Sequence, residues 1–472
     1  MPCRSPRIRR VIDPGTRRQT GTKLLAQRMT SPNAEGINVT STAPTPNAAD
    51  PIFISYRQSD GTDITAELAW LLRSSGIPVW RDRDDLPPGD TEARLRQAIA
   101  DGISGGVLVT TPDLENSEVV KFVEAPCLLK LHQAHEAFAL GIANAVESEP
   151  GKIDYRAPDR LLGQRPGTLS GVDQQGADRQ GLRTLVQKLL WHRMAHHRAR
   201  VTADAHTFSL SLQTRNTPQV YDRTGSQLDI RVRPSTHERL PSFEGLQDLR
   251  DVIGLLPDAV TRAGAQRVRL QGGAHLSVAF TIGAALPSSR LGYMEVIDQQ
   301  GQKWTSDGEA RLSPTPYVQI EAEGANERPT KTGRPAVMVY LDLLPQRSNA
   351  AFEWYIDENA QFITAWRHLT STSSNLLDPS VAGALAAEAA AHLRTISNDN
   401  ANAEIHLLLR CPFPLALLIG RLTNTLRFVL YEWDDSDPVT GDDYRARYVP
   451  TMRVRTSANA SVIEEVLPVT SI

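Results

Sequence analysis

The sequence predicts an α/β protein built on parallel sheets, and three observations carry that class. Short apolar runs without alternation, such as Ile405, Leu407, Leu408 and Leu409, read as strands buried on both faces. Strand and helix patterns alternate on a beat of about 20 to 30 residues, as crossover units do. The stretch 405–434 reads as strand, turn, helix, strand, because Pro412 and Pro414 end its first strand and a short apolar helix follows.

A chain of 472 residues has room for about three domain-sized units. With 40% hydrophobic and 22% charged residues it has a globular composition. The net charge of -3 excludes a uniformly basic nucleic-acid coat, so no DNA partner is expected, but a local anion site remains open. Cys3, Cys127 and Cys411 form no CxxC pair and suit reduced thiols in the cytoplasm. No apolar run is long enough to span a bilayer, and the basic N-terminus lacks the apolar core of a secretory signal. A soluble, cytoplasmic protein is the expectation.

Residues 1–50 carry scattered arginines followed by Thr, Ser, Pro and Asn, which predicts a disordered basic tail; Met29 is an alternative start. Residues 51–162 read as an α/β domain of flavodoxin-like type. Its predicted strands lie at 51–56, 76–80 and 106–110, and its helices at 66–74, 95–103 and from Ser117 to Leu131 with an interruption at Pro126. Residues 163–204 read as a Gly- and Gln-rich linker and a connecting helix with Leu182, Leu185, Val186, Leu189 and Leu190 on one stripe. His192 and His196 stand one helical turn apart there, but no carboxylate nearby completes a ligand set, so no metal is expected.

From residue 205 the α/β pattern resumes. Strands are predicted at 207–214 and 227–233 and a helix at 246–263. A second strand–helix–strand unit spans 268–298, in which Val268 falls on Ile405, Leu276 on Phe413 and Gly283 on Gly420. Aligned with one residue skipped, Glu295 falls on Glu432 and Asp298 on Asp434. The strand at 336–343 and the helix at 380–396 then lead into 405–434. Residues 205–335 and 336–472 therefore read as two copies of one unit.

Two known families resemble these regions. Phe53-Ile-Ser-Tyr-Arg57 with Asp60-Gly61, Val79-Trp-Arg-Asp82, Leu86-Pro-Pro-Gly89, Val107–Pro112 and Ser117–Glu124 together resemble the TIR domain. The paired units, ending in 405–434, resemble the SAVED domain, a fusion of two Rossmann-like (CARF-like) halves. That order resembles the TIR-SAVED effectors of bacterial anti-phage (CBASS) signalling.

The resemblance implies an NAD+ hydrolase that is switched on when a cyclic oligonucleotide, a cyclic tri-adenylate first among them, binds the SAVED domain and drives self-assembly into an oligomer or filament. NAD+ is then the substrate, and no cofactor is implied. The bond from nicotinamide to ribose breaks through an oxocarbenium-like state, which a carboxylate beside the ribose stabilises. The matching glutamate is Glu124; Glu92 is a weaker competitor, explained by the dipole of its helix. The family's tryptophan four residues earlier is here Val120, a departure that Trp80 offsets on this reading.

Tyr56, Arg57, Trp80, Asp82 and Asp85 are the expected substrate-binding residues, with Arg57 suited to a pyrophosphate through its planar fork. For the cyclic nucleotide the expected residues are Arg410, Pro412, Arg421, His275 and Arg290; Trp304, Trp354, Trp366 and Trp433 are candidate stacking surfaces, though tryptophans of this kind more often serve the core. The alternative is a non-catalytic TIR adaptor that recruits partners after sensing a nucleotide.

Overall fold

The computed structural model describes residues 45–80, 97–215, 225–308, 315–325, 336–346, 348–435, 446–456 and 461–468. Nearly all of the predicted 1–50 tail lies outside these residues, as do Asp82, Asp85 and Glu92.

The amino-terminal domain runs β1 (Ile52–Ser55), α1 (Gln58–Ser74), β2 (Val79–Trp80), β3 (Gly105–Thr110), α2 (Ala125–Ala134) and β4 (Ala139–Asn144). A hairpin of β5 (Glu147–Glu149) and β6 (Lys152–Ile153) and the short α3 (Ala157–Leu161) lead to β7 (Asp173–Gly176). Its sheet is parallel, in the order β2-β1-β3-β4-β7, which is the flavodoxin-like order.

Two expectations are corrected here. The stretch taken for a linker contains β7, which pairs with β4 through Gly141↔Asp173 to Asn144↔Gly176. The sequence reading also lacked β4, whose Gly141 sits so close to the next helix that an added Cβ would meet Leu185 Cδ1 at 2.8 Å. Small residues replace the β-branched signal there.

The connecting helix α4 (Arg179–Ala203) begins at Asp178, whose side chain accepts from the N–H groups of Gln180 and Gly181. Its apolar stripe is buried as predicted, and the helix is structural rather than solvated. Arg193 is 4% exposed and donates to the carbonyls of Ala49, Asp50 and Gln227. Arg179 pairs with Glu67 of α1 at 2.7 Å. The His192 and His196 rings lie tilted against each other with centroids 4.6 Å apart, and no group of three metal-binding side chains gathers among the described residues.

The first repeat comprises β8 (Thr207–Gln213), β9 (Leu228–Arg231), α5 (Phe243–Val252), α6 (Leu256–Arg262), β10 (Arg267–Gly273), α7 (Leu276–Ala285), β11 (Tyr293–Ile297) and β12 (Lys303–Thr305). The second comprises β13 (Val318–Ala325), β14 (Ala336–Asp342), α8 (Ala350–Asn359), β15 (Ile363–Ser371), α9 (Ala382–Asp399), β16 (Glu404–Arg410), α10 (Phe413–Gly420), β17 (Arg427–Asp434), β18 (Arg447–Arg455) and β19 (Ile463–Val466). The first sheet has the order β12-β11-β10-β8-β9; the second contains β18-β17-β16-β14-β15 with β19 and β13 added at its ends. The shared order makes the two regions structural repeats. Because β13 pairs with β15, the second repeat begins before the predicted boundary at 336.

The repeats meet where α7 crosses α10. An added Cβ on Gly283 would lie 2.0 Å from the Leu417 carbonyl oxygen, and one on Gly420 would lie 2.1 Å from that of Phe280. Phe280 and Leu417 are themselves equivalent positions, so the crossing has local twofold symmetry. Only glycine lets the two backbones approach this closely.

Candidate functional site

In the amino-terminal domain, the carboxyl edge of the sheet is where ligands of such folds lie. β1 ends there at Ser55, and Glu124 approaches from the π-helical turn Val120–Glu124 that runs into α2. The turn lets Ala125 N–H reach back to the Val120 carbonyl, just before Pro126, which has no N–H to offer. Ser55 is 1% exposed and Glu124 6%, and the Ser55 hydroxyl donates to Glu124 Oε2 at 2.5 Å. The carboxylate is thus buried and oriented by a donor at the end of β1.

The other expected residues divide. Trp80 pairs with Phe53 in the parallel register, and Phe53 and Ser55 share one face of β1, so Trp80 lies on the Glu124 face of the sheet. Tyr56 points to the opposite face, where it packs against Gly61 within the core. Arg57 Nε donates to Asp113 Oδ2 at 2.6 Å and its Nη1 to the Asn116 carbonyl at 2.9 Å, so in this arrangement its fork holds a loop of its own domain. Donors from Ser59, Asn116 and Arg57 hold the Asp113 carboxyl well below the usual carboxylate range. Val120 is buried at 3% exposure and leaves no aromatic surface at that position.

In the paired repeats, a cleft of about 710 Å³ opens at the carboxyl ends of the central strands of both. The first repeat contributes Gly272–Ala274, Leu276 and the turn from Asp298 to Gln302; the second contributes Leu344, Pro345 and Cys411–Pro414. Leu376, Leu377 and Trp304 also line it, with Trp304 Nε1 donating to Asp298 Oδ2 at 2.9 Å. Pro412 is thus placed in the cleft wall.

The four other expected contacts are not in that wall. His275 is 1% exposed; its Nδ1 meets Thr214 Oγ1 at 2.9 Å, and burial with Arg215 nearby pushes its pKa down to about 4. Arg421 is fully buried beyond the far end of α10 and donates to the Leu291 carbonyl. Arg290 pairs with Asp258 at that same far edge. Arg410 sits beside the cleft but pairs with the fully buried Asp342 at 2.7 Å. Trp366 and Trp433 pack into a separate aromatic cluster on the other face of the second sheet.

Two residues have roles that the sequence does not reveal. Arg215, just past β8, is the arginine that lines the cleft among the described residues. A cation at the carboxyl end of a strand beside Gly272-Gly273 was the available signal. Glu432 is the other: it reaches across from β17 and accepts from Ser277 N–H of α7 at 2.6 Å. Burial pushes its pKa up to about 7 despite that bond.

Comparison with known proteins finds two family matches, in the order TIR then SAVED. A TIR domain family model matches residues 52–146, and SAVED, the "SMODS-associated and fused to various effectors sensor domain", matches residues 250–454. The chain is 34% identical over 92 residues to the 2' cyclic ADP-D-ribose synthase BtTIR of Bacteroides thetaiotaomicron, a match covering 19% of this chain and 31% of that protein. The Acinetobacter baumannii Cap4 SAVED/CARF-domain containing receptor, solved with the cyclic trinucleotide 3'3'3'-cAAA, aligns with a TM-score of 0.42 at 11% identity, covering 83% of this chain and 97% of that one. The Moraxella osloensis Cap4 receptor aligns with a TM-score of 0.37 at 12% identity, covering 83% and 98%.

Proposed function

We propose that this chain, a TIR domain joined to a SAVED domain, is a nucleotide-gated effector that cleaves NAD+. A cyclic oligonucleotide seats in the cleft between the two SAVED repeats, and the TIR domain then breaks the bond from nicotinamide to ribose. The observation that carries this reading is the buried Glu124 carboxylate, held by Ser55 at the ligand-binding edge of the TIR sheet.

Nicotinamide leaves with the electron pair of the broken C–N bond, and Glu124 stabilises the positive charge that develops on the ribose. Capture of the cation by water, with loss of a proton, gives ADP-ribose. Capture by a hydroxyl of the same molecule, again with loss of a proton, gives a cyclic product, a second outcome that the similarity to a cyclic ADP-ribose synthase favours.

The ligand raises activity only if it binds the active, assembled state more tightly than the free one. Two features support transmission from cleft to TIR domain. Arg179 joins Glu67 of the TIR domain to Asp248 and Asp251 of α5, and Asp229 N–H of β9 donates to the Gly76 carbonyl at 2.8 Å. No described helix is long and apolar enough to cross a membrane, and a cytoplasmic role in anti-phage defence belongs to the same proposal.

The test is to incubate the full chain with NAD+ and a panel of cyclic oligonucleotides, cyclic tri-adenylate first, and to separate the products. We expect nicotinamide release with a matching ligand and its loss in Glu124→Gln. No nicotinamide with any ligand would overturn the enzyme reading in favour of a nucleotide-sensing adaptor.

A further inference from the structure

We infer that Ser55 is a positioning residue for the NAD+ reaction, fixing the Glu124 carboxylate in the orientation that meets the ribose. This rests on the enzyme reading above. Ser55 closes an otherwise apolar strand, Ile52-Phe53-Ile54, and all four residues are buried. A hydroxyl there carries a desolvation cost unless it finds a partner. Its one donor goes to Glu124 Oε2 at 2.5 Å, within the short range of charge-assisted O–H···O⁻ bonds.

The two ends of this bond come from elements of different regularity. β1 is clamped on both sides, Ile52 against Val79 and Ser55 against Leu108. Glu124 ends a π-helical turn, a local departure from the α-helical ladder. The serine therefore ties a carboxylate on an irregular turn to a strand paired on both sides. Valine and threonine in its place both add a methyl group, and only threonine keeps the hydroxyl.

The experiment compares Ser55→Thr with Ser55→Val, which are matched in shape and differ in the hydroxyl. Turnover of NAD+ is measured in the full chain with the panel member that activates the wild type most. We expect Ser55→Thr to retain kcat to within about threefold and Ser55→Val to lose about a hundredfold, with KM for NAD+ changed less than about twofold in both. Circular dichroism melts of the two variants should coincide. Equal kcat in the two variants, whether high or low, overturns the positioning role and leaves the enzyme reading standing. A wild type that releases no nicotinamide takes both down.

Discussion

In the first SAVED repeat α7 opens with Leu276-Ser277; in the second α10 opens with Phe413-Pro414. The residues before them, His275 and Pro412, adopt nearly the same backbone, with φ of -57 in both. Ser277 offers an N–H, which Glu432 of the other repeat takes. Pro414 at the equivalent place has none to offer.

The parallel registers pair Val268 with Met294 and Ile405 with Phe428, so Asp298, not Glu295, is the counterpart of Glu432. This corrects the sequence alignment, because the loop after α7 is longer than the loop after α10. Asp298 does not reach across. It accepts from Gln300 and Gln302 N–H groups of its own turn and from Trp304. Two repeats with one strand order thus present a polar, cation-bearing wall on one side of the cleft and a proline-rich wall on the other. A cyclic ligand placed there meets unequal sides even though the scaffold is symmetric.

The largest effect should come from breaking the symmetric part. Gly283→Ala and Gly420→Ala each push a Cβ into a carbonyl oxygen of the facing helix. Each gains about 1 kcal/mol of helix propensity and loses more to forced separation, for a net cost of about 2 to 3 kcal/mol. Urea unfolding should show the two costs to be similar. A difference above about 1 kcal/mol would mean that the crossing is not shared equally by the two repeats.

How much of this was legible beforehand depends on what burial does to a sequence. Strands buried on both faces, such as β16, show as unbroken apolar runs, and both strand–helix–strand units were read on that signal. The equivalence of Gly283 and Gly420 was visible too, although the backbone contact that requires glycine was not. β7, Asp-Gln-Gln-Gly at the sheet edge, has no apolar signal at all. Charged residues were the least legible. Arg421 and Arg290 look like phosphate ligands in the sequence, yet they lie past the ends of the helices, away from the cleft. Ser55 lies within the motif Phe53–Arg57, but a serine in an apolar strand names no partner. Its partner is 69 residues away in the chain.

Glu432 sharpens the comparison through pH. Its folded pKa, about 7, lies above the ordinary glutamate value of 4.5 because it is buried. The folded chain therefore holds a proton that the unfolded chain releases, and the stability this gives is present below the lower value and lost as pH rises through 7. The term is on the order of 3 kcal/mol. Glu432→Gln keeps an acceptor for Ser277 and removes the titration. Denaturant midpoints at pH 5 and pH 8 should fall less for the variant than for wild type. An unchanged pH slope would show that Glu432 is not held in a dry site.

Arg215 tests the cation-bearing wall. If the ligand carries phosphates, Arg215→Ala should weaken binding of cyclic tri-adenylate about tenfold or more, the worth of one charge-assisted hydrogen bond. Calorimetry at two salt concentrations should give a shallower salt dependence for the variant. Equal affinity in the two proteins would move the phosphates to the backbone donors of the strand ends.

Pro414→Ala is the smallest change and bears on why the walls differ. It gives α10 the N–H that α7 already has. If the missing donor alone kept Asp298 from crossing, the variant would gain a bond like that of Glu432 and rise in stability by more than about 1 kcal/mol. We expect a change within about 1 kcal/mol, because proline is well tolerated in the first turn of a helix and Asp298 already has three donors in its own turn. The asymmetry is then held twice, by the absent N–H and by the closed turn, and removing one hold leaves the other in place.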